Sequence, residues 1–402
     1  MTQSLSDRFN KFIAPQLLQD ENLYPFFRVI ESEQSTEIII EGRKVLMFGS
    51  NSYLGLTTHP KVKAASAAAI KKYGSSAAGS RFLNGTTALH IELEYRLAKF
   101  LRKEAVLLFS TGFQVNLGVI PAITNSNDII ILDRMNHASI IEGARLSKAP
   151  SVMFKHNNMA SLEQKLRLSS DADMKLIVVD GVFSMEGDLA DFKGITQLAQ
   201  KYNAVVMSDC AHAIGVIGKF GAGAASHFGI EGQIDIIGGT FSKSLASLGG
   251  FVASDAATIS YIKHHSRALI FSASPTPASV AATLASLDII ESDDSLRLQL
   301  LENTQYAISK FKSLGFDTGN TETPIIPLYI RNDKKTYELT MLLLEKGVFV
   351  NPVVAPAVAP QDSMIRFSLM ATHSIEQIDI AIDTIYECAK KLEVLLSVET
   401  HQ

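Results

Sequence analysis

Cysteine is scarce in this chain: only Cys210 and Cys388 occur among 402 residues. They make no Cys-x-x-Cys pair and no metal-ligand spacing. A reducing cytoplasm is therefore the default compartment, and no metal site is expected. Excess positive charge is also missing. Lys plus Arg number 37 against 41 Asp plus Glu, a formal net charge of −4, which argues against nucleic acid as the main partner. No apolar run is long enough to cross a bilayer. The opening residues Met1-Thr2-Gln3-Ser4-Leu5-Ser6-Asp7-Arg8 lack the basic-then-apolar order of an export signal. Internal repeats and low-complexity tracts are absent as well. Two nucleotide fingerprints fail in detail. Ser242 stands where a phosphate-loop lysine needs a preceding glycine, and Gly221-Ala222-Gly223-Ala224-Ala225-Ser226 lacks the last glycine of a dinucleotide motif. What is present is an ordinary globular composition, 47% hydrophobic and 19% charged, long enough for a large core and more than one domain.

The middle of the chain alternates strand and helix patterns. Strands are predicted at Ala105–Ser110, Asp128–Asp133, Ser151–His156, Lys175–Asp180, Ala204–Asp209, Ile234–Thr240 and Gly250–Ser254, with amphipathic segments such as Leu162–Leu168 and Ile195–Tyr202 between them. This rhythm predicts a largely parallel α/β sheet with helices on both faces. Sites in such sheets form at the carboxyl ends of the strands, where Asp133, Asp180, Asp209 and Lys243 fall. From about Ser292 the pattern changes to a smaller α+β unit, with helices at Leu296–Leu314, Thr336–Lys346 and Ile375–Leu395 and strands at Ile325–Ile330 and Met364–Leu369. Asn351-Pro352-Val353-Val354-Ala355-Pro356 reads as a proline-fixed loop. A hairpin is predicted at Glu37–Ile40 and Lys44–Phe48. The expected division is an N-terminal segment over 1–50, a large domain over 51–291 and a small domain over 292–402.

Three residues carry the chemistry. Asp209 and His212 close one apolar run in Ser208-Asp209-Cys210-Ala211-His212, and Lys243 follows the next in Thr240-Phe241-Ser242-Lys243. An acid and a lysine at the ends of two buried strands suit pyridoxal phosphate. The lysine holds the aldehyde as a Schiff base, and the carboxylate keeps the ring nitrogen protonated, so that the ring accepts electrons. Alone, Asp209 reads better as a helix cap, His212 as a structural histidine and Lys243 as a solvated lysine. A phosphate site strengthens the functional reading. Ser110-Thr111-Gly112-Phe113 joins a strand to the helix Gln114–Ile123, whose free N–H groups suit an anion, and Thr240 and Ser242 offer hydroxyls. His137, in Asn136-His137-Ala138-Ser139, reads either as part of a cap or as a cover for the cofactor ring.

Longer motifs extend the pattern: Met47-Phe48-Gly49-Ser50-Asn51-Ser52-Tyr53-Leu54-Gly55-Leu56, Ala78-Gly79-Ser80-Arg81-Phe82-Leu83-Asn84-Gly85-Thr86, Val182-Phe183-Ser184-Met185-Glu186-Gly187-Asp188 and Ile365-Arg366-Phe367-Ser368-Leu369-Met370-Ala371-Thr372-His373. With the segments above, in this order, the chain resembles the α-oxoamine synthases, a branch of the fold-type I pyridoxal phosphate enzymes. The resemblance covers roughly Tyr24 to Leu392. It implies a fold-type I transferase with a mostly parallel seven-stranded sheet, and a decarboxylative condensation of L-serine with palmitoyl-coenzyme A to 3-ketodihydrosphingosine. It implies that Lys243 binds the cofactor, Asp209 pairs with the ring nitrogen, and His212 bonds the phenolic oxygen. His137 would stack on the ring and touch the substrate carboxylate. Gly112, Phe113, Thr240 and Ser242 would hold the phosphate, with Ser184 beside the cofactor. Arg366 would clamp the carboxylate bidentately, joined by Ser80. Ser274 and Thr276, in Ser272-Ala273-Ser274-Pro275-Thr276, would reach a neighbouring subunit's phosphate site, making a homodimer with shared sites. Peripheral contact with the inner face of a membrane is left open.

Two positions depart from the family's pattern. Cys210 stands where an acid is common, and Ser76 in Gly74-Ser75-Ser76-Ala77 replaces a glycine. The rival readings are other α-oxoamine synthases, taking glycine with acetyl- or succinyl-coenzyme A or alanine with pimeloyl-coenzyme A, and a non-catalytic binding protein. Retention of Lys243, Asp209, His137 and Arg366 together argues against the last.

Overall fold

A computed structural model describes residues 4–395; residues 1–3 and 396–402, the outer ends of the expected N-terminal segment and C-terminal domain, lie outside it. The predicted hairpin forms from β1 (Glu37–Ile40) and β2 (Arg43–Met47). Glu41 and Gly42 both take positive φ, 51° and 71°, which matches the twist of the flanking strands.

The central sheet uses β3 (Ala105–Phe109), β4 (Ile129–Asp133), β5 (Ser151–Phe154), β6 (Lys175–Asp180), β7 (Val205–Asp209), β8 (Ile236–Thr240) and β9 (Gly250–Ser254), in the order β3-β9-β8-β7-β6-β4-β5. Strands β4 to β8 are parallel, while β9 runs antiparallel to both neighbours. The continuous apolar runs are explained by burial on both faces. Ile131, Ile177, Val179 and Val206 enter one core with Leu162, Leu166 and Ile195 of the covering helices. Their alternates Ile130, Leu132, Leu176, Val178 and Met207 enter another, with Val115, Val119 and Ile140. Register places Asp180 opposite Asp209, and Asp209 opposite Gly238. The carboxyl ends of β4, β6, β7 and β8 thus present Asp133, Asp180, Asp209 and Thr240 along one edge.

After the helices Pro277–Ser292 and Ser295–Ser313 come β10 (Ile325–Tyr329), β11 (Val348–Phe349), β12 (Asn351–Val353) and β13 (Met364–Ser368). Strand β13 lies between β10 and β12, antiparallel to both, and β11 pairs with β2 of the hairpin. The expected loop over Asn351–Pro356 is therefore half wrong. Its first three residues are a strand, and the turn begins only at Ala355. Pro352 is tolerated because β12 is an edge strand, where a missing N–H leaves no ladder partner unpaired. Along β13, Ile365 and Phe367 enter the core, so Arg366 and Ser368 face the other way, toward the ends of the central strands.

One loop ties the two parts together. Residues 182–189 follow β6 and close on themselves through the pair Val182 and Leu189. The carbonyl of Gly187 accepts from Thr321 Oγ1 at 3.2 Å and Thr323 Oγ1 at 2.8 Å, just before β10. Gly187 has φ +70°, and a Cβ there would lie 2.1 Å from the Ile325 carbonyl oxygen. Gly315 has φ +86° but open space around a Cβ. Gly187→Ala is expected to destabilise by at least about 2 kcal/mol, against about 1 kcal/mol for Gly315→Ala, which lacks the overlap. Denaturant titration of both variants checks this. Equal losses would mean that the loop gives way to the added methyl.

Candidate active site

Two adjoining cavities, of about 590 and 250 Å³, open at the carboxyl ends of the central strands and share His137, His212 and Lys243 in their walls. Lys243 gets there because Phe241, fully buried beyond the end of β8, anchors the turn that follows. Burial pulls the Lys243 amine down to about 8, although Asp209 and Asp180 oppose the fall.

In the smaller cavity Asp209 is fixed at both oxygens. Oδ1 accepts from the Ala211 N–H at 2.9 Å and Oδ2 from Asn116 Nδ2 at 2.7 Å. Asn116 also donates to Ser139 Oγ at 2.8 Å. Ser139 in turn lies 2.8 Å from His137 Nδ1 and gives that nitrogen its backbone N–H at 3.2 Å. Nδ1 is therefore an acceptor, which leaves the proton on Nε2. Burial holds the His137 imidazole below its usual range, so it is neutral. Asp180 accepts the His137 backbone N–H at 2.7 Å. Burial, with Asp209 alongside, raises its carboxyl well above the usual range.

At the other end of this cavity the helix Gly112–Ile123 begins, capped by Thr111, whose hydroxyl accepts the Gln114 N–H at 3.1 Å. The N–H groups of Gly112 and Phe113 come before the first intrahelical acceptors. Thr240 Oγ1 and Ser242 Oγ lie 2.9 Å apart beside them. Close approach is what requires glycine at 112, since a Cβ there would lie 2.6 Å from Thr240 Cβ. This donor set, with a fixed carboxylate opposite and an amine between, fits pyridoxal phosphate. The helix start would suit its phosphate, Asp209 its ring nitrogen and Lys243 its aldehyde.

The larger cavity is dominated by Arg366. Its Nε donates to the Ser184 carbonyl at 2.6 Å, Nη1 to Ser368 Oγ at 2.7 Å, and Nη2 to Tyr53 Oη at 3.3 Å. The residue is buried, yet among the described residues no carboxylate lies within ion-pairing distance of it. Tyr53 Oη also lies 2.6 Å from His212 Nδ1 and 3.2 Å from Asn51 Oδ1. Asn51 Oδ1 can only accept, so the phenol donates there, and His212 faces Tyr53 through Nδ1. Burial, with Lys243 and Arg366 adding to it, keeps His212 well below its usual range and hence neutral. Phe26, Phe27, Met185, Phe349, Val350 and Val353 give the cavity a largely apolar wall.

The structure thus brings together Lys243, Asp209, His212, His137, Gly112, Phe113, Thr240, Ser242, Ser184 and Arg366. Ser80, Ser274 and Thr276 line neither cavity of this chain. Ser80 pairs with Ala273 across an isolated bridge. The Ser274 N–H donates to the Gly79 carbonyl at 2.9 Å, and Thr276 caps the helix Pro277–Ser292. The hydroxyls of Ser80 and Ser274 are buried with no partner among the described residues. Cys210 points into the core, away from both cavities, and burial lifts its thiol to about 11. Ser76 is exposed, its hydroxyl accepting the Ala78 N–H at 3.1 Å. Sequence reasoning gave no role to Tyr53, Asn116, Ser139 or Asp180. Asn116 had a signal, being an amide within the apolar run Val115–Ile123.

The class I and II aminotransferase family model matches residues 43–385. The chain is 52% identical to the serine palmitoyltransferase (SPT) of Sphingobacterium spiritivorum over 390 residues, 97% of this chain and 98% of that protein. It is 42% identical to the 8-amino-7-oxononanoate synthase of Thermoanaerobacter pseudethanolicus, covering 96% of this chain and 98% of that one. A high-resolution structure of SPT with a PLP internal aldimine superposes with a TM-score of 0.94 at 34% identity, covering 97% of this chain and 100% of the other. The chain belongs to the class I and II aminotransferase family, the fold-type I pyridoxal phosphate proteins, in the branch that holds serine palmitoyltransferases and 8-amino-7-oxononanoate synthases.

Proposed function

We propose that this protein is a pyridoxal phosphate-dependent acyltransferase that condenses L-serine with palmitoyl-coenzyme A. The products are 3-ketodihydrosphingosine, coenzyme A and carbon dioxide. The observation that carries this reading is Arg366, a buried guanidinium with no carboxylate of its own among the described residues, opening onto the cavity that holds Lys243. A buried charge without a partner is costly, and a substrate carboxylate removes that cost. The apolar wall beside it suits a long acyl chain. Serine rather than alanine as the amino acid rests on the 52% identity to the Sphingobacterium spiritivorum enzyme, against 42% to the Thermoanaerobacter pseudethanolicus synthase.

Bound in the smaller cavity, pyridoxal phosphate supplies an aldehyde that captures amines and a ring that accepts electrons from a carbanion. The chain's own residues do the rest. The N–H groups of Gly112 and Phe113 and the hydroxyls of Thr240 and Ser242 hold the phosphate. Asp209 would keep a proton at the ring nitrogen, and His212 would bond the phenolic oxygen. His137 covers the ring and offers Nε2–H to the substrate carboxylate. Arg366 binds that carboxylate, its remaining N–H bonds fixed by Ser184, Ser368 and Tyr53. Lys243, neutral above about 8, takes the α-proton of serine. The division into a large domain over 51–291 and a small one over 292–402 then puts Lys243 and Arg366 in different domains. In the same reading the chain works in a reducing cytoplasm as a homodimer, with Ser274 and Thr276 reaching the neighbouring subunit's phosphate.

Arg366→Ala is expected to weaken serine binding by about 3 kcal/mol, roughly 100-fold, and to leave the cofactor's absorbance unchanged. A titration of the loaded protein with serine reads both. Unchanged serine affinity would mean that Arg366 serves structure alone.

In cofactor-free protein, Lys243 should react with an amine-directed reagent with a pH midpoint near 8. An exposed lysine would give a midpoint near about 10.4. Below the lower midpoint the ammonium protects it; above, the free amine reacts. Lys243→Ala should lower turnover at least ~1,000-fold, the scale of a lost general base. Near-normal turnover in that variant would sink the mechanism.

Shared sites predict complementation. Mixing Lys243→Ala with a variant disabled at Thr276 should restore part of the activity, because one site of each heterodimer is then intact. If heterodimers form and no activity returns, each site is built within one chain.

A further inference from the structure

His156 lies just beyond β5 and lines neither cavity. Its two ring nitrogens are both engaged by carboxylates. Nδ1 lies 2.9 Å from Asp133 Oδ1 at the end of β4, and Nε2 lies 2.9 Å from Asp188 Oδ2 in the loop after β6. Both nitrogens must carry protons to satisfy this geometry, so the ring is an imidazolium. The two carboxylates lift it to about 10 against the cost of burial, and it stays charged through the neutral range. The Phe183 ring meets its face edge-on, with centroids 4.4 Å apart.

The two carboxylates differ in what else holds them. Asp133 also accepts the N–H groups of Met135 and Asn157, at 2.8 and 3.0 Å. Asp188 has the Asn157 amide at 3.0 Å on the same oxygen as His156, and its Oδ1 is buried without a partner among the described residues. Asp188 therefore depends on His156 more than Asp133 does. The loop over 182–189 supplies the Ser184 carbonyl, which holds Arg366 Nε at 2.6 Å.

We propose that His156, by bridging Asp133 to Asp188, is a positioning residue that sets the aim of the Arg366 fork at the substrate carboxylate. The order of action runs from the sheet edge to Asp133, through His156 to Asp188, and along the loop to Ser184 and Arg366. The inference rests on the reading of Arg366 as the carboxylate clamp. A guanidinium tilted by even about 1 Å loses bidentate contact, and misplacement on that scale costs up to ~100-fold.

The test uses cofactor-loaded protein and three variants, His156→Ala, Asp188→Asn and Arg366→Ala. Each is measured for serine dissociation constant, cofactor dissociation constant and thermal midpoint. His156→Ala should weaken serine binding roughly 10- to 100-fold, with cofactor affinity unchanged. Asp188→Asn, which keeps the size and loses the charge, should shift serine affinity in the same direction by less, and it decides the matter if His156→Ala does not fold. A lower thermal midpoint with unchanged serine affinity in both variants overturns the inference. So does a parallel loss of serine and cofactor affinity, which would mark general damage. If Arg366→Ala weakens serine binding while the other two do not, this inference alone fails. If Arg366→Ala leaves serine binding unchanged, the clamp fails and the inference falls with it.

Discussion

Arg366 is a buried cation that the described part of the chain does not neutralise. Around it the balance is similarly one-sided. Lys243 is pulled down to about 8 by burial, and His212 is kept neutral by burial with Lys243 and Arg366 beside it. Of the two carboxyl groups beside Lys243, Asp180 is pushed well above its usual range by burial, with Asp209 alongside. Such a site is stabilised by ligands that bring negative charge. In the proposed function one would enter at the helix start over Gly112 and Phe113, and the other at the fork of Arg366. Phosphate at one end and carboxylate at the other is the charge pattern of a pyridoxal phosphate site that works on amino acids.

The fold serves this arrangement by delivering groups from two directions. The parallel strands stop in register, so Asp180 and Asp209 stand side by side. Strand β13 comes from the other part of the chain, with Phe367 in the core and Arg366 turned out of it. Phe48 stacks on both Phe367 and His373 at 4.4 and 4.2 Å between centroids, which fixes that strand against the segment leading to Tyr53. Tyr53 then bonds both His212 and Arg366, joining the two halves of the site through a single hydroxyl.

Much of this was legible in the sequence because parallel buried strands leave a simple trace, an apolar run followed by a polar residue. Asp209, Lys243 and the helix start at Gly112 all follow that rule. The residues that escaped obey no local rule. Asn116 meets Asp209 across 93 positions, and Tyr53 meets His212 across 159. Contacts at that separation are set by packing and leave no periodic trace. Asn351–Val353 was misread because proline usually ends a strand, and only the sheet order shows that Pro352 sits on an edge. Ser80, expected to join Arg366, lines neither cavity of this chain, and its pairing with Ala273 is announced by no sequence pattern.

The central claim is that the charges take an amino acid's carboxylate and the apolar wall a long acyl thioester, with serine as the amino acid on the strength of the 52% identity. Product mass spectrometry on the cofactor-loaded protein tests it most directly, with L-serine, glycine or L-alanine offered beside palmitoyl-, pimeloyl- and acetyl-coenzyme A. The account predicts 3-ketodihydrosphingosine from serine with palmitoyl-coenzyme A as the dominant product. A dominant product from glycine or alanine, or from a short-chain thioester, would contradict it.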